Sequence, residues 1–226
     1  MVLVPAVVWS PSSFVDYVRA NADSIGQLAL GHLWVVALSV ALATAIGVVL
    51  GVATYRSRAL SSAALTVASL FLTFPSFALL GILVVFFGLG PTPTVVALIL
   101  YALLPIMRNT VTGLQQIDGV VLDSARGIGM SGVQRLLRVE LPIAWPVILA
   151  GLRTATQLVV GIAAIAAYVN GPGLGKFIFF GLAHLETKNA FSQVLVGTVG
   201  IVLIALVLDA LLALLGRATI SRGIRA

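Results

Sequence analysis

The sequence predicts an all-α integral membrane fold with about five transmembrane helices. Three observations carry that prediction. First, 60% of the 226 residues are apolar and only 9% are charged, whereas a soluble domain carries about 25% charged residues. So little polar surface cannot cover a water-facing globule, and lipid must solvate much of the chain. Second, several uncharged runs are long enough to cross about 30 Å of hydrocarbon. Third, the charges gather between those runs, singly or in pairs, which is the pattern of residues that set membrane topology.

The formal charge of +6 does not indicate a nucleic-acid binder, because no basic cluster lies on a water-soluble face. Cysteine is absent, so disulfides, thiol catalysis and Cys-based metal sites are excluded.

Residues 2–9 are apolar but follow no positive n-region, so a cleaved signal peptide is not expected. Residues 10–24 are more polar, with Asp16, Arg19 and Asp23, and predict a short interfacial segment. The first span is placed at about 32–54 within the uncharged run 25–55. It contains Gly47 and Gly51 at small-xxx-small spacing, which permits close helix contact. Arg56 and Arg58 follow. Residues 59–107 are again uncharged, too long for one span, and the break is placed at Gly88, Gly90, Pro91 and Pro93. The second span is therefore about 60–87 and the third about 94–111. Pro75 and Pro105 are expected to kink them.

Residues 112–142 form a polar loop with Asp118, Asp123, Arg126, Arg135, Arg138 and Glu140. The fourth span runs from about 143 to 168, with Arg153 inside it. A Gly- and Pro-rich stretch, 170–189, reads as irregular. The fifth span is about 190–215, with Asp209 inside it, and Arg217, Arg222 and Arg225 lie in the tail.

Positive charge chooses the orientation. If the loop after the first span is cytoplasmic, that side holds Arg56, Arg58, Arg108, Arg126, Arg135, Arg138, Arg217, Arg222 and Arg225. The other side holds Arg19, Lys176 and Lys188. The positive-inside rule then places the N-terminus out and the C-terminus in. The organisation is an extracytoplasmic or interfacial segment 1–24, a transmembrane domain 25–216 with the loop 112–142, and a cytoplasmic tail 217–226.

The loop has internal order. Asp118 is placed to cap a short helix that ends near the glycines at 127 and 129. Ser131 and Gln134 read as a capping box for a second short helix, to about Arg138. Helices this short are marginal alone in water and need a docking partner.

The spacing in this loop resembles a cytoplasmic signature of ABC importer permeases: E-A-A, three residues, G, nine residues, I-x-L-P. Here the positions are Asp123, Ser124, Ala125, then Gly129, then Val139, Glu140, Leu141 and Pro142. Asp replaces Glu, Ser replaces the first Ala, and Val replaces Ile. Residues 74–81 (FPSFALLG), 100–110 (LYALLPIMRNT), 151–156 (GLRTAT) and 173–182 (GLGKFIFFGL) further resemble the permeases for glycine betaine, choline and related osmoprotectants. The resemblance implies a type I importer permease fold (MetI-like). It also implies that Asp123, Ser124, Ala125, Gly129, Leu141 and Pro142 form an ATPase-coupling loop whose first helix, about 119–126, enters a groove on an ATP-binding subunit. Implied partners are two ATP-binding subunits, a second permease of the same or a paralogous kind, and an extracytoplasmic substrate-binding protein. The chain itself is expected to bind no cofactor, with ATP and magnesium on the partner, and to catalyse no reaction. Methionine or another amino acid is the alternative cargo on the same scaffold.

Other motifs fail their structural tests. Gly127, Gly129 and Gly132 fit G-x-G-x-x-G without the strand that a dinucleotide site requires. Gly175 and Lys176 lack the first glycine and the Ser or Thr of a P-loop. His32 and His184 have no second ligand nearby in sequence, so a metal site is not expected. Trp34, Tyr101 and Tyr168 are read as packing or interfacial residues before cation–π ligands. Arg153 and Asp209 are the two intramembrane charges, read first as a structural ion pair and second as a substrate contact. An ion-coupled transporter would need an acidic or His relay, for which only Asp209 qualifies. A membrane enzyme would need clustered His, Asp or Glu.

Overall fold

The computed structural model describes residues 11–220. Among these residues every regular element is helical. The apolar run 2–9 and the tail arginines Arg222 and Arg225 lie outside the described residues.

Helix α1 (Pro11–Ala20) starts on a proline, whose missing N–H costs nothing in the first turn. It lies in the stretch 10–24 read from sequence as a short interfacial segment, for which no helix was expected, and its Tyr17 ring meets Phe177 edge-on at 6.5 Å. Helix α2 (Ala22–Thr54) has 33 residues and begins ten residues before the expected start. Asp23 does not delay it, because a carboxylate in the first turn complements the helix dipole.

The second span departs from expectation. Pro75 does not kink a helix; it separates two, α3 (Arg58–Thr73) and α4 (Ser76–Phe87). Phe74 and Pro75 are extended, at ψ 132° and 130°. A proline disfavours helical backbone in the residue before it, and the freed Phe74 carbonyl accepts a 2.8 Å hydrogen bond from the Tyr101 hydroxyl. Among the described residues four helices are long and apolar enough to cross a membrane, giving up to five spans if α3 and α4 together form one broken span.

The break before the third span is shorter than its prolines suggest. It is confined to 88–90, with Gly88 and Gly90 at positive φ. Helix α5 (Pro91–Gln115) takes both Pro91 and Pro93 into its first turn, where no N–H is required. Pro105 lies inside it.

Two short helices follow, α6 (Gly119–Gly127) and α7 (Gly132–Arg135). The second does not end before the membrane. A π-helical turn (Leu136–Glu140) joins it to α8 (Leu141–Ile165), so one helical run extends over Gly132–Val169. In the π turn the Leu141 N–H bonds the Leu136 carbonyl, five residues back. That wider ring precedes Pro142, whose own ring would collide with the fourth carbonyl back in α-helical register. Pro142 therefore lies inside the run instead of starting it.

A 3-10 turn (Ala166–Val169) closes α8. The stretch expected to be irregular contains α9 (Gly175–Ala183). Gly175 lets that helix start hard against α8, since a Cβ there would collide with the Ala164 carbonyl. Helix α10 (Ala190–Thr219) completes the described chain.

The chain forms two compact units, and each long helix contributes a part to both. One unit holds residues up to Ser39, Pro75–Leu98 and Val159–Val207. There the buried His32 ring lies 3.2 Å from the Val160 carbonyl, and Gly173 approaches the opposite ring nitrogen so closely that a Cβ would stand 2.6 Å away. The other unit holds Val40–Phe74, Ile99–Leu158 and the chain from Leu208 on. In it Gly47 and Gly51 seat α2 on α5, where added Cβ atoms would press on Ile106 and Thr110 at 2.9 and 2.6 Å. Leu114, Ala144 and Ile148 form its core beside the loop, with Val52, Tyr55, Leu136 and Trp145 packed around them.

Candidate functional site

The loop between α5 and α8 is built by local capping. Asp118 accepts the Val120 N–H at 2.9 Å and starts α6. The helix stops where Gly129 takes φ +82°, with the Met130 N–H bonded back to the Ala125 carbonyl at 3.1 Å. Ser131 and Gln134 then complete a reciprocal capping box, at 3.3 and 2.9 Å. The short helices thus satisfy their own end groups.

The faces of α6 differ. Ala125 is buried, so it packs against its own chain. Asp123 and Ser124 are exposed, and Asp123 pairs with Arg126 at 2.7 Å on the surface. The outward surface is apolar: Val120 is 70% exposed, Ile128 74% and Val133 67%, with Val121 and Leu137 also exposed. The larger part of the loop's outward surface is thus this valine- and isoleucine-rich ridge. Leu141 is half-buried and Pro142 exposed.

A buried carboxylate ties the second short helix to the end of α2. The Glu140 side chain is 1% exposed. It accepts hydrogen bonds from the Tyr55 hydroxyl at 2.5 Å and from Arg135 Nε at 2.7 Å, and Arg56 stands at 3.9 Å. Gln115 donates to the Tyr55 carbonyl at 2.8 Å. Burial pushes the Tyr55 phenol up from its ordinary value, and the hydrogen bond to Glu140 acts in the same direction. One carboxylate thus gathers the end of α2, the second short helix and the start of α8. In the sequence Glu140 is the variable position of the I-x-L-P signature. Its charge just before an apolar run, five residues after Arg135, was the available signal, but its other two partners, Arg56 and Tyr55, lie 84 and 85 residues away in sequence.

Arg153 and Asp209 are brought together. The guanidinium and the carboxylate meet fork to fork at 2.9 and 2.7 Å, and Gln157 adds a 3.2 Å bond to the same carboxylate. The Arg153 side chain is 42% exposed and that of Asp209 26%, so the pair sits on the surface of its unit. Nearby, Trp145 donates to the Thr219 hydroxyl at 2.7 Å, a second tie between α8 and α10.

The aromatic residues read from sequence have separate environments. Tyr101 is buried and bonded to the Phe74 carbonyl. Tyr168 is exposed, between Phe77 at 4.6 Å and Phe179 at 5.8 Å. Trp34 is half-exposed and lines a small groove with Leu38, Pro91 and Thr92. His184 lies on the surface, bonded to the Phe180 carbonyl.

Membrane-length helices carrying a capped, apolar-faced loop fit a membrane transport component. The chain belongs to the family of binding-protein-dependent transport system inner membrane components, whose pattern matches residues 43–221. It is a multi-pass protein of the inner membrane. It is 41% identical over 216 residues to the osmoprotectant import permease protein OsmW of Salmonella typhimurium, covering 93% of this chain and 99% of that one. It is 35% identical to the glycine betaine/carnitine/choline transport system permease protein OpuCB of Bacillus subtilis, covering 95% and 97%. Its fold is that of the permease in inward-facing structures of the MetNI methionine ABC transporter, with a TM-score of 0.69 at 21% identity over 88% of this chain and 94% of that one.

Proposed function

We propose that this chain is the permease subunit of an ATP-driven importer for a quaternary-amine osmoprotectant such as glycine betaine, choline or carnitine. The observation that carries the coupling half of this reading is the loop itself. It holds an exposed apolar ridge on two short helices N-capped at Asp118 and Ser131, the second tied down by a buried carboxylate. Such a ridge suits a groove on another protein better than it suits water. The cargo half rests on the relatives, an osmoprotectant import permease and a glycine betaine/carnitine/choline transport system permease.

In this reading the segment 112–142 faces the cytoplasm, the N-terminus lies outside and the tail from 217 inside. Asp123, Ser124, Ala125, Gly129, Leu141 and Pro142 belong to the ATPase-coupling loop, and Glu140 positions it. Two ATP-binding subunits dock there and hold ATP and magnesium. A second permease, identical or paralogous, completes the path, and an extracytoplasmic binding protein delivers cargo. The chain does no chemistry: it changes which side of the path is open, as differential contacts at the loop favour one state of the pair.

The test is reconstitution in liposomes with the ATP-binding and binding-protein partners. Labelled glycine betaine should accumulate only with ATP, and labelled methionine should not. Methionine uptake without betaine uptake would reassign the cargo, and uptake of neither would defeat the reading.

A further inference from the structure

Helices α3 and α5 enclose a groove of about 390 Å³ within one unit, inside the range of roughly 300–1,000 Å³ typical of small-molecule sites. Its lining is unusual for this chain. Arg58, Ser62 and Thr66 come from α3 at four-residue spacing, and Arg108, Thr112 and Gln115 come from α5 at i, i+4 and i+7. Each set is one helical face, so two polar stripes share a single groove. No acidic residue lines it. Among the described residues neither guanidinium has a carboxylate partner, and the hydroxyls of Ser62, Thr66 and Thr112 make no hydrogen bond. In a chain with 9% charged residues, two exposed arginines on one groove, neither held by a carboxylate, are free to meet an anion.

We infer that this groove holds the phosphate of an anionic phospholipid headgroup. Guanidinium groups match phosphate oxygens as two-pronged donors, and the free hydroxyls supply further donors. The missing carboxylate decides between headgroups. A zwitterionic lipid would bring its ammonium into a groove that already carries two positive charges and no acceptor of opposite sign. An anionic lipid brings only the charge that is lacking. Leu70 continues the same α3 stripe one turn past Thr66 and is more than half exposed, which suits an acyl chain. Basic pockets between membrane helices bind such headgroups elsewhere. The inference holds whatever cargo the transporter moves.

The test is native mass spectrometry of the full chain with phosphatidylglycerol, phosphatidylcholine and inorganic phosphate as separate probes. Phosphatidylglycerol should bind, and phosphatidylcholine at the same concentration should not displace it. Arg58→Gln and Arg108→Gln should each weaken binding about tenfold, the loss of one charge-assisted contact. Thr66→Phe fills the groove without altering charge, and it should also lose the lipid while unfolding at the wild-type temperature. Equal binding of phosphatidylcholine, or undiminished binding by the Arg58→Gln, Arg108→Gln double variant, would overturn the proposal. Displacement of the lipid by inorganic phosphate at matching concentration would also overturn it, in favour of a soluble-anion site. Disulfide capture between two copies through Thr66→Cys, with no lipid bound, would assign the groove to a protein partner instead.

Discussion

Glu140 concentrates more of this molecule's organisation than any other side chain. Its carboxylate is buried with Arg135 and Tyr55, so its removal strands a guanidinium that is itself only 12% exposed. Glu140→Ala should therefore destabilise the protein by about 3–5 kcal/mol, the cost of breaking a buried pair from one side. Tyr55→Phe leaves both charges paired and should cost about 1.5–3 kcal/mol, one hydrogen bond to an ionised group. Thermal unfolding in detergent gives the ranking, and a larger loss from Tyr55→Phe would remove Glu140 as the hub. The Arg153–Asp209 fork makes a different demand. If the two groups depend on each other, Arg153→Ala alone should lower the unfolding temperature more than the double change with Asp209→Ala. Additive losses would mean that each charge is solvated independently.

At the scale of elements, the short helices α6 and α7 need their caps and their turn. Gly129 sits at φ +82° with open space around its Cα, so a substitution there meets backbone strain and no steric clash. Gly129→Val should misdirect the turn at a cost of about 1–2 kcal/mol, leave membrane insertion intact, and weaken co-purification with the ATP-binding subunit. The outward ridge offers a cleaner probe than Ala125, because an Arg at the buried Ala125 would disrupt α6 from within. Val120→Asp and Ile128→Asp change exposed side chains only. Both should unfold like wild type yet lose substrate-stimulated ATP hydrolysis. Normal coupling in both would place the docking surface elsewhere.

At the scale of the whole molecule, the absence of native cysteine makes topology directly readable with single introduced cysteines and an impermeant reagent. Thr92→Cys and Lys176→Cys should label from outside, and Ser57→Cys and Ser131→Cys should not. The reverse pattern would invert the orientation and remove the loop from the side where ATP is hydrolysed. The exposed leucines and valines of α10, among them Leu203, Leu206 and Leu211, face surroundings that are apolar, as lipid or a second membrane subunit is.

The sequence by itself determined that the chain lives in a membrane, roughly where its long helices run, and that the loop 112–142 is capped at Asp118 and Ser131. Those properties depend on local hydropathy and on side chains two or three residues from the backbone groups they satisfy. It did not determine the separation at Pro75, the helix Gly175–Ala183 or the continuity of Gly132–Val169. Each depends on a distant or geometric condition: a tyrosine hydroxyl for the Phe74 carbonyl, room against Ala164, a π turn ahead of Pro142. The Glu140 hub belongs with them. A lone acid five residues after an arginine and beside an apolar run reads as a boundary marker, and only the tertiary structure, by bringing Tyr55 and Arg56 to the same carboxylate, made it an anchor.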